Sequence, residues 1–167
     1  LRLAQDNALP AVSVSIASGS TLDTGVTTQT LHQLSGSGAL SGSGVLTLDN
    51  SAGDTTFSGA TNLARATLVK TGSDTLTLNG ATVAFGGLDV QGGTLALAGT
   101  AAKTTSAIAG SAAGTLVFDG ALNATSLSGS PVITGGSASV LNVSSATLGA
   151  GTDIDVQNFN VTDRLTL

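Results

Sequence analysis

The chain has 167 residues, of which 9% are charged and 2% aromatic, with 23 glycines and no Cys, Met, Trp or Tyr. A hydrophobic fraction of 41% is too high for a disordered chain, and the absence of Cys excludes a disulfide framework and thiolate metal sites. The net charge is −5 with only five Lys and Arg residues, which excludes the basic footprint that nucleic acids or anionic membranes require. We expect no cofactor.

Short runs of alternating apolar and polar residues predict strands along the whole chain. Each run is bounded by Gly, Ser, Asn or Asp, and the clearest are 12–16, 45–48, 75–78, 94–97, 115–118, 140–143, 153–156 and 164–167. Helical periodicity is nearly absent, and the best helix candidates are 61–66 and 100–109. The sequence therefore predicts an all-β protein.

The stretch LSGSGALSGSGVL at 34–46 has the composition of a flexible linker. A leucine nevertheless recurs every six residues, at Leu34, Leu40 and Leu46, and a strand-like VLTL follows directly. We interpret 34–46 as ordered turns within one continuous unit, 1–167, with no internal linker. The predicted turn glycines, which supply the backbone freedom that sharp corners need, are Gly36, Gly38, Gly42, Gly44, Gly72 and Gly93.

The spacing of the central strands indicates a repeating architecture. Leu76, Leu95 and Leu116 follow one another at intervals of 19 and 21 residues, each between a turn and a small-residue corner. Periods of about 20 residues are typical of solenoids. The sequence predicts a right-handed parallel β-helix of about seven or eight rungs, in which the runs 82–85 and 88–90 form further sides of a rung. Because both ends, LRL and RLTL, are strand-like, we expect a segment of a longer solenoid.

Alternation along each strand predicts which side chains point inward. The predicted core residues are Leu46, Leu76, Leu78, Leu95, Leu97, Leu116, Phe118 and Leu141. Phe57 and Phe85 continue the same alternation and are also expected inside, whereas the pattern around Phe159 is less regular.

Four stretches resemble the passenger repeats of autotransporters, the secreted β-helical stalks of Gram-negative outer-membrane proteins. They are LRLAQDNALP (1–10), LHQLSGSG (31–38), LVKTGSDTLTLNGA (68–81) and GGLDVQGGTLALAG (86–99). The resemblance implies a structural stalk segment on the bacterial cell surface, exported through the periplasm and outer membrane by a C-terminal barrel of the full-length chain. It also implies adhesion to molecules of a host or neighbouring-cell surface.

Few residues suggest chemistry. His32, the only histidine, lies near Asp23 and many serines, but no Gly-x-Ser-x-Gly elbow is present, and we expect an outward polar residue on a strand. The run GAGTDIDV contains one copy of a calcium-binding pattern, which makes Asp153 and Asp155 weak Ca²⁺ candidates, because calcium takes six to eight oxygen ligands. We therefore predict no metal site and no enzymatic activity.

Two alternatives stay open beside the stalk. One is end-to-end association into filaments or a surface layer, because open solenoid ends expose strand edges. The other is a surface hydrolase or lyase, which the five scattered basic residues disfavour. Three Asn-x-Ser/Thr sequences, at Asn123, Asn142 and Asn160, are expected by chance in a chain so rich in Ser and Thr.

Overall fold

The computed structural model describes residues 1–136 and 138–167, which form eighteen strands and no helix. In chain order the strands are β1 (Ser13–Ile16), β2 (Thr21–Asp23), β3 (Thr28–Leu31), β4 (Gln33–Gly36), β5 (Ala39–Ser41), β6 (Val45–Leu48), β7 (Thr55–Phe57), β8 (Ala60–Lys70), β9 (Thr75–Leu78), β10 (Val83–Val90), β11 (Gly93–Leu97), β12 (Lys103–Gly110), β13 (Gly114–Phe118), β14 (Ala121–Gly129), β15 (Val132–Gly135), β16 (Val140–Leu148), β17 (Asp153–Asp155) and β18 (Asn158–Thr166). None of the described residues forms a helix with the length and apolarity of a membrane span.

The strands form two parallel sheets through which the chain winds repeatedly. The first sheet contains eight short strands, in the order β1-β4-β7-β9-β11-β13-β15-β17. The second contains the order β18-β16-β14-β12-β10-β8-β5-β2, with β3 and β6 pairing beside it. One strand of the first sheet and the stretch of the second that follows it, either two short strands or one long one, make up a turn. The fold is therefore a parallel β-solenoid of about eight turns, as the sequence predicts.

The second sheet is bent, and its early and late turns build the bend differently. In the first turns it consists of two short strands per turn, β2 with β3 and then β5 with β6. From β8 onward a single longer strand covers both sides, pairing with β5 through 60–62 and with β6 through 67–70. We call the bend between these two parts, at residues 24–27, 42–44 and 63–66, the corner.

Equivalent residues of successive turns lie directly beside one another. Leu76 pairs with Leu95, and Leu95 pairs with Leu116, so the spacing of 19 and 21 residues is the length of a turn. Each strand donates backbone hydrogen bonds to the turns before and after it and accepts backbone hydrogen bonds from them. Non-local pairing of this kind satisfies the hydrogen-bonding groups of the backbone without any helix.

Stacks of inward side chains, one per turn, form the core. In the first sheet one stack is Leu76, Leu95, Leu116 and Ile133, all fully buried. In the second sheet a further stack is Leu46, Leu68, Leu88, Ile108 and Leu127. Aliphatic side chains dominate because the space between the two sheets is thin and each turn contributes only a few inward positions.

Residues 1–9 lie across the first turn of the second sheet. The amide of Leu3 donates to the Asp23 carbonyl at 2.8 Å, and that of Asn7 donates to the Thr28 carbonyl at 2.8 Å. Beneath them Gln29 takes the place of a leucine next to Leu46, and its fully buried amide donates to the Gln5 carbonyl at 2.7 Å. This segment therefore covers part of the edge of β2 and β3.

Both helix candidates are wrong. Residues 61–66 belong to β8, and most of 100–109 belongs to β12. In β8 the buried residues Thr61 and Leu63 alternate with exposed Asn62 and Ala64, which is the period of a strand. The neighbouring turns supply parallel partners on both sides, and this non-local pairing overrides the weak local helical preference.

The runs 82–85 and 88–90 lie on the two sides of the corner, as predicted, but without a loop between them. They are the two halves of one strand, β10, with a shift in register against β8 between Phe85 and Gly87. The bend thus falls inside a continuous strand, at a pair of glycines, instead of at a loop.

Candidate functional site

His32 was expected on a strand, but it lies in the bend between β3 and β4. Its Nδ1 is 2.9 Å from Oδ2 of Asp49, and the Ser51 hydroxyl donates to the same oxygen at 3.1 Å. Asp23 instead contacts Arg2 and accepts from the Gly25 amide.

His32, Asp49 and Ser51, the histidine cluster, are the residue types of a catalytic triad, but they lack the hydrogen bonds of one. A nucleophilic serine must donate to the imidazole that accepts its proton, whereas both Ser51 and His32 contact the carboxylate of Asp49. The side chains of His32 and Asp49 are 46% and 32% exposed, so water reaches them freely. The arrangement is a solvated, hydrogen-bonded bend of the chain.

The calcium candidates Asp153 and Asp155 are exposed on β17. Their partners in the preceding turn are Val132 and Thr134, which supply no second pair of carboxylates. No group of three or more potential metal-ligating side chains occurs in the part of the chain that the structure describes. Two carboxylates fall short of the six to eight oxygens that Ca²⁺ takes.

The structure places all eight predicted core residues in the interior, each at most 1% exposed. Among the predicted turn glycines, Gly38, Gly42, Gly44 and Gly72 lie between strands, whereas Gly36 ends β4 and Gly93 begins β11. Gly72 and Gly93 have positive φ angles of 72° and 60°, a conformation that favours glycine.

Sequence reasoning missed a fully buried lysine, Lys70, which stands between Leu48 and Val90 in an inward stack. Its Nζ donates to the carbonyls of Thr71, Gly72 and Gly92, the last belonging to the next turn. Burial lowers the pKa of Lys70, and the carboxylates of Asp74 and Asp49 oppose this shift. The ammonium group therefore joins the ends of two successive turns from inside.

Lys103 repeats this arrangement on the other part of the second sheet. It is 1% exposed, next to Leu122, and its Nζ donates to the carbonyls of Gly99, Ala101 and Asp119. Burial lowers its pKa, opposed by Asp119. Like Gly72, Gly99 has a positive φ, so each lysine binds the carbonyl of a left-handed glycine. The sequence contains a sign of this burial, because Lys70 follows Leu68 by two residues, the spacing at which side chains of a strand point to the same face.

The three asparagines of the Asn-x-Ser/Thr sequences form a ladder across β14, β16 and β18. The Asn142 amide donates to Asn123 Oδ1 at 2.8 Å, and the Asn160 amide donates to Asn142 Oδ1 at 2.9 Å. Their spacing of 19 and 18 residues, one turn each, was the signal for this ladder. Parallel in-register strands bring identical amides into hydrogen-bonding distance in this way.

Beside the apolar stacks, the described side chains thus form ties between turns and solvated hydrogen-bonded bends. The structure brings Lys70 and Lys103 onto main-chain carbonyls and brings the asparagines onto one another. Both arrangements add hydrogen bonds between successive turns.

Comparison with protein families gives two matches, to the passenger-associated-transport-repeat, at residues 40–69 and 68–97. Together the two matches cover residues 40–97. The resemblance to autotransporter passengers is confirmed over this part of the chain. Comparison with curated proteins and with solved structures gives no significant match.

The repeats map onto the solenoid without coinciding with its turns. Each match spans 30 residues, whereas a turn between Leu76, Leu95 and Leu116 takes 19 or 21. A repeat therefore covers about one and a half turns. The second repeat includes Lys70 and ends at Leu97, so it contains the first lysine tie, β9, β10 and β11.

Proposed function

We propose that this chain is a structural stalk segment of a surface-exposed bacterial autotransporter passenger. The observation that carries the proposal is the coincidence of passenger-associated transport repeats with a continuous stack of parallel turns. At about 4.8 Å per turn, eight turns span roughly 38 Å. A stack of this kind places whatever it carries at a fixed distance from its base.

The described contacts suit a mechanical role. Each turn is bonded to its neighbours through backbone ladders, and lysine and asparagine side chains add further bonds between turns. Unfolding one turn must break bonds on both of its sides. The absence of Cys prevents incorrect disulfides during passage through an oxidising periplasm.

Adhesion is the role we propose for the whole passenger, with host or neighbouring-cell surface molecules as partners and the chain's own C-terminal outer-membrane barrel as its anchor. The segment supports adhesion by spacing and orienting the binding surface. Hydrolase or lyase activity is the less favoured alternative, because the His32 cluster lacks the connections of a triad.

Surface display tests the stalk proposal. Residues 1–167 are inserted between an epitope tag and the outer-membrane barrel of an unrelated autotransporter, and tag exposure is measured by antibody binding on intact cells. We expect exposure equal to that of the native passenger, with the inserted segment resistant to protease. A matched variant with Leu95→Asp and Leu116→Asp should be displayed but rapidly cleaved. Accumulation of the unaltered segment in the periplasm would argue against the proposal.

One observation favours end-to-end association as a second candidate. Beside β17 and β18 lies an apolar hollow of ≈ 620 Å³ lined by Leu148, Ile154, Phe159 and Leu167. An apolar surface next to strand edges favours pairing with a further parallel strand, which another copy of this chain would supply. Sedimentation velocity over a hundredfold concentration range decides: a growing series of species supports association, and a single short rod at all concentrations opposes it.

A further inference from the structure

The exposed positive charge of the chain is concentrated at one place. Lys70 and Lys103 are buried, so Arg2, Arg65 and Arg164 are the cationic side chains left on the surface. Arg2 and Arg65 line the same hollow, which has a volume of ≈ 320 Å³. Because Asp23 also lines it, the hollow carries one net positive charge in a chain of net charge −5.

The corner of the second sheet forms the hollow. Gly42 and its flanking serines line it, and an added Cβ at Gly42 would lie 2.0 Å from Oγ1 of Thr24. A Cβ there would have to displace the Thr24 hydroxyl, and glycine lets the chain pass the corner without a side chain at that point. The Gly-Ser composition that resembles a linker thus produces a concave surface.

A bulge in β8 brings Arg65 to the rim. Leu63 pairs with Phe85 and Thr67 with Gly87, so three residues of β8 oppose one of β10. As a result Ala64 and Arg65 are both exposed, against the alternation of the strand. Bulges often re-aim a side chain beside a binding site. Among the described residues, Arg65 has no carboxylate or carbonyl partner, so its guanidinium is available.

The remaining lining supplies groups that bind hydroxyls and a sugar face. Asp23 contacts Arg2 at 3.5 Å, Asn62 presents an exposed amide, and Val26 is 82% exposed at the rim. Guanidinium groups bind carboxylates in bidentate fashion, amides and carboxylates bind hydroxyls, and an exposed aliphatic side chain packs on the C–H face of a ring.

We propose that this corner hollow binds an acidic saccharide, with the sugar carboxylate on Arg65 and Arg2 and its hydroxyls on Asn62 and Asp23. The volume, at the lower end of the range of about 300–1,000 Å³ for ligand sites, suits one or two sugar rings. The site goes beyond the stalk function, and the stalk function does not depend on it.

The test is an NMR titration of the ¹⁵N-labelled chain at low salt with three probes: sialyllactose, trigalacturonate and neutral lactose. We expect saturable shifts at the amides of Gly42, Asn62 and Arg65 with at least one acidic probe, and much weaker ones with lactose. Binding by one acidic probe alone would support the proposal and distinguish a terminal from an internal acidic sugar. Raising the salt concentration should weaken binding.

Two variants separate a specific site from general charge. Arg65→Gln should weaken binding roughly tenfold, because a charge-assisted bidentate contact is lost. Arg164→Gln removes the exposed arginine outside the hollow and should change binding less than about twofold. Both positions are exposed, so both variants should fold, which circular dichroism checks. The proposal would be overturned if binding did not saturate or if lactose bound as well as the acidic probes. It would also be overturned if the two variants lost affinity equally.

Discussion

At the scale of single residues, the buried lysines are the contacts that distinguish this interior from a simple stack of leucines. Lys70 binds the carbonyls of Thr71, Gly72 and Gly92. Lys70→Met keeps the length of the side chain but leaves those carbonyls without a donor. We expect the free energy of unfolding to fall by about 1–3 kcal/mol, measured by urea denaturation. The neighbouring Leu68→Met, which conserves volume, should cost less than about 1.5 kcal/mol. Equal stability of Lys70→Met and the unaltered chain would contradict the role of the tie.

The same lysines make stability depend on pH in the alkaline range. Their pKa values in the folded chain lie below the ordinary value of 10.5, so between the two pKa values the unfolded chain binds more protons. The free energy of unfolding should therefore rise as pH increases toward 10.5. No Tyr or Cys titrates there.

A double variant, Lys70→Met with Lys103→Met, isolates this pH effect. It should remove the rise in the free energy of unfolding, which is measured by urea denaturation in steps from pH 8 to pH 10.5. A slope of the same size in the double variant would show that other groups cause it.

Thr61 is a residue where the sequence is not optimal for stability. Its fully buried hydroxyl has no hydrogen-bond partner among the described residues, and it stands inward between Leu40 and Val83. Thr61→Val should raise the free energy of unfolding by about 1 kcal/mol. The matched control is Thr105→Val, because the Thr105 hydroxyl donates to the Ala107 carbonyl at 2.9 Å, and that change should be destabilising. Thermal melts should show a higher melting temperature for Thr61→Val and a lower one for Thr105→Val than for the unaltered chain.

At the scale of elements, the corner glycines fix how closely successive turns approach. A Cβ at Gly44 would lie 2.0 Å from the backbone oxygen of Thr27, which cannot move without shifting its turn. We expect Gly44→Ala to destabilise the chain by about 1–3 kcal/mol.

Gly87→Ala is the control for this change, since the nearest atom to its Cβ is the Thr67 hydroxyl at 3.1 Å, a side-chain atom that can rotate. Denaturation midpoints would show a clear difference between the two alanine variants. A tolerated Gly44→Ala would mean that the turns are further apart than the structure shows.

The sequence predicts the strands in which leucine or valine alternates with small or polar residues, such as VLTL in β6 and TLAL in β11. Strands such as QLSG in β4 and ALNATSLSG in β14 were missed because they are polar or glycine-rich. Their backbone is held by partners one turn away, and a local pattern does not contain that information.

At the scale of the whole molecule, the period of about 20 residues predicts a parallel solenoid because it repeats both strand and corner chemistry. The ties between turns were not predicted, since they depend on register. Lys70 reaches Gly92 and Asn142 reaches Asn123 only once the turns are stacked in one particular way. The corner hollow likewise needs residues of several turns, from Arg2 to Arg65.

The continuity of the solenoid through 34–46 is tested most directly by amide hydrogen exchange. In this stretch the amides of Gly38, Ala39, Ser43 and Val45 donate to carbonyls of the preceding turn at 2.9, 2.8, 2.6 and 3.1 Å. We expect these four amides to be protected to the same degree as those of β9 and β11. Exchange at the rate of an unfolded chain across 34–46, between two protected blocks, would show a flexible linker and contradict a continuous stalk.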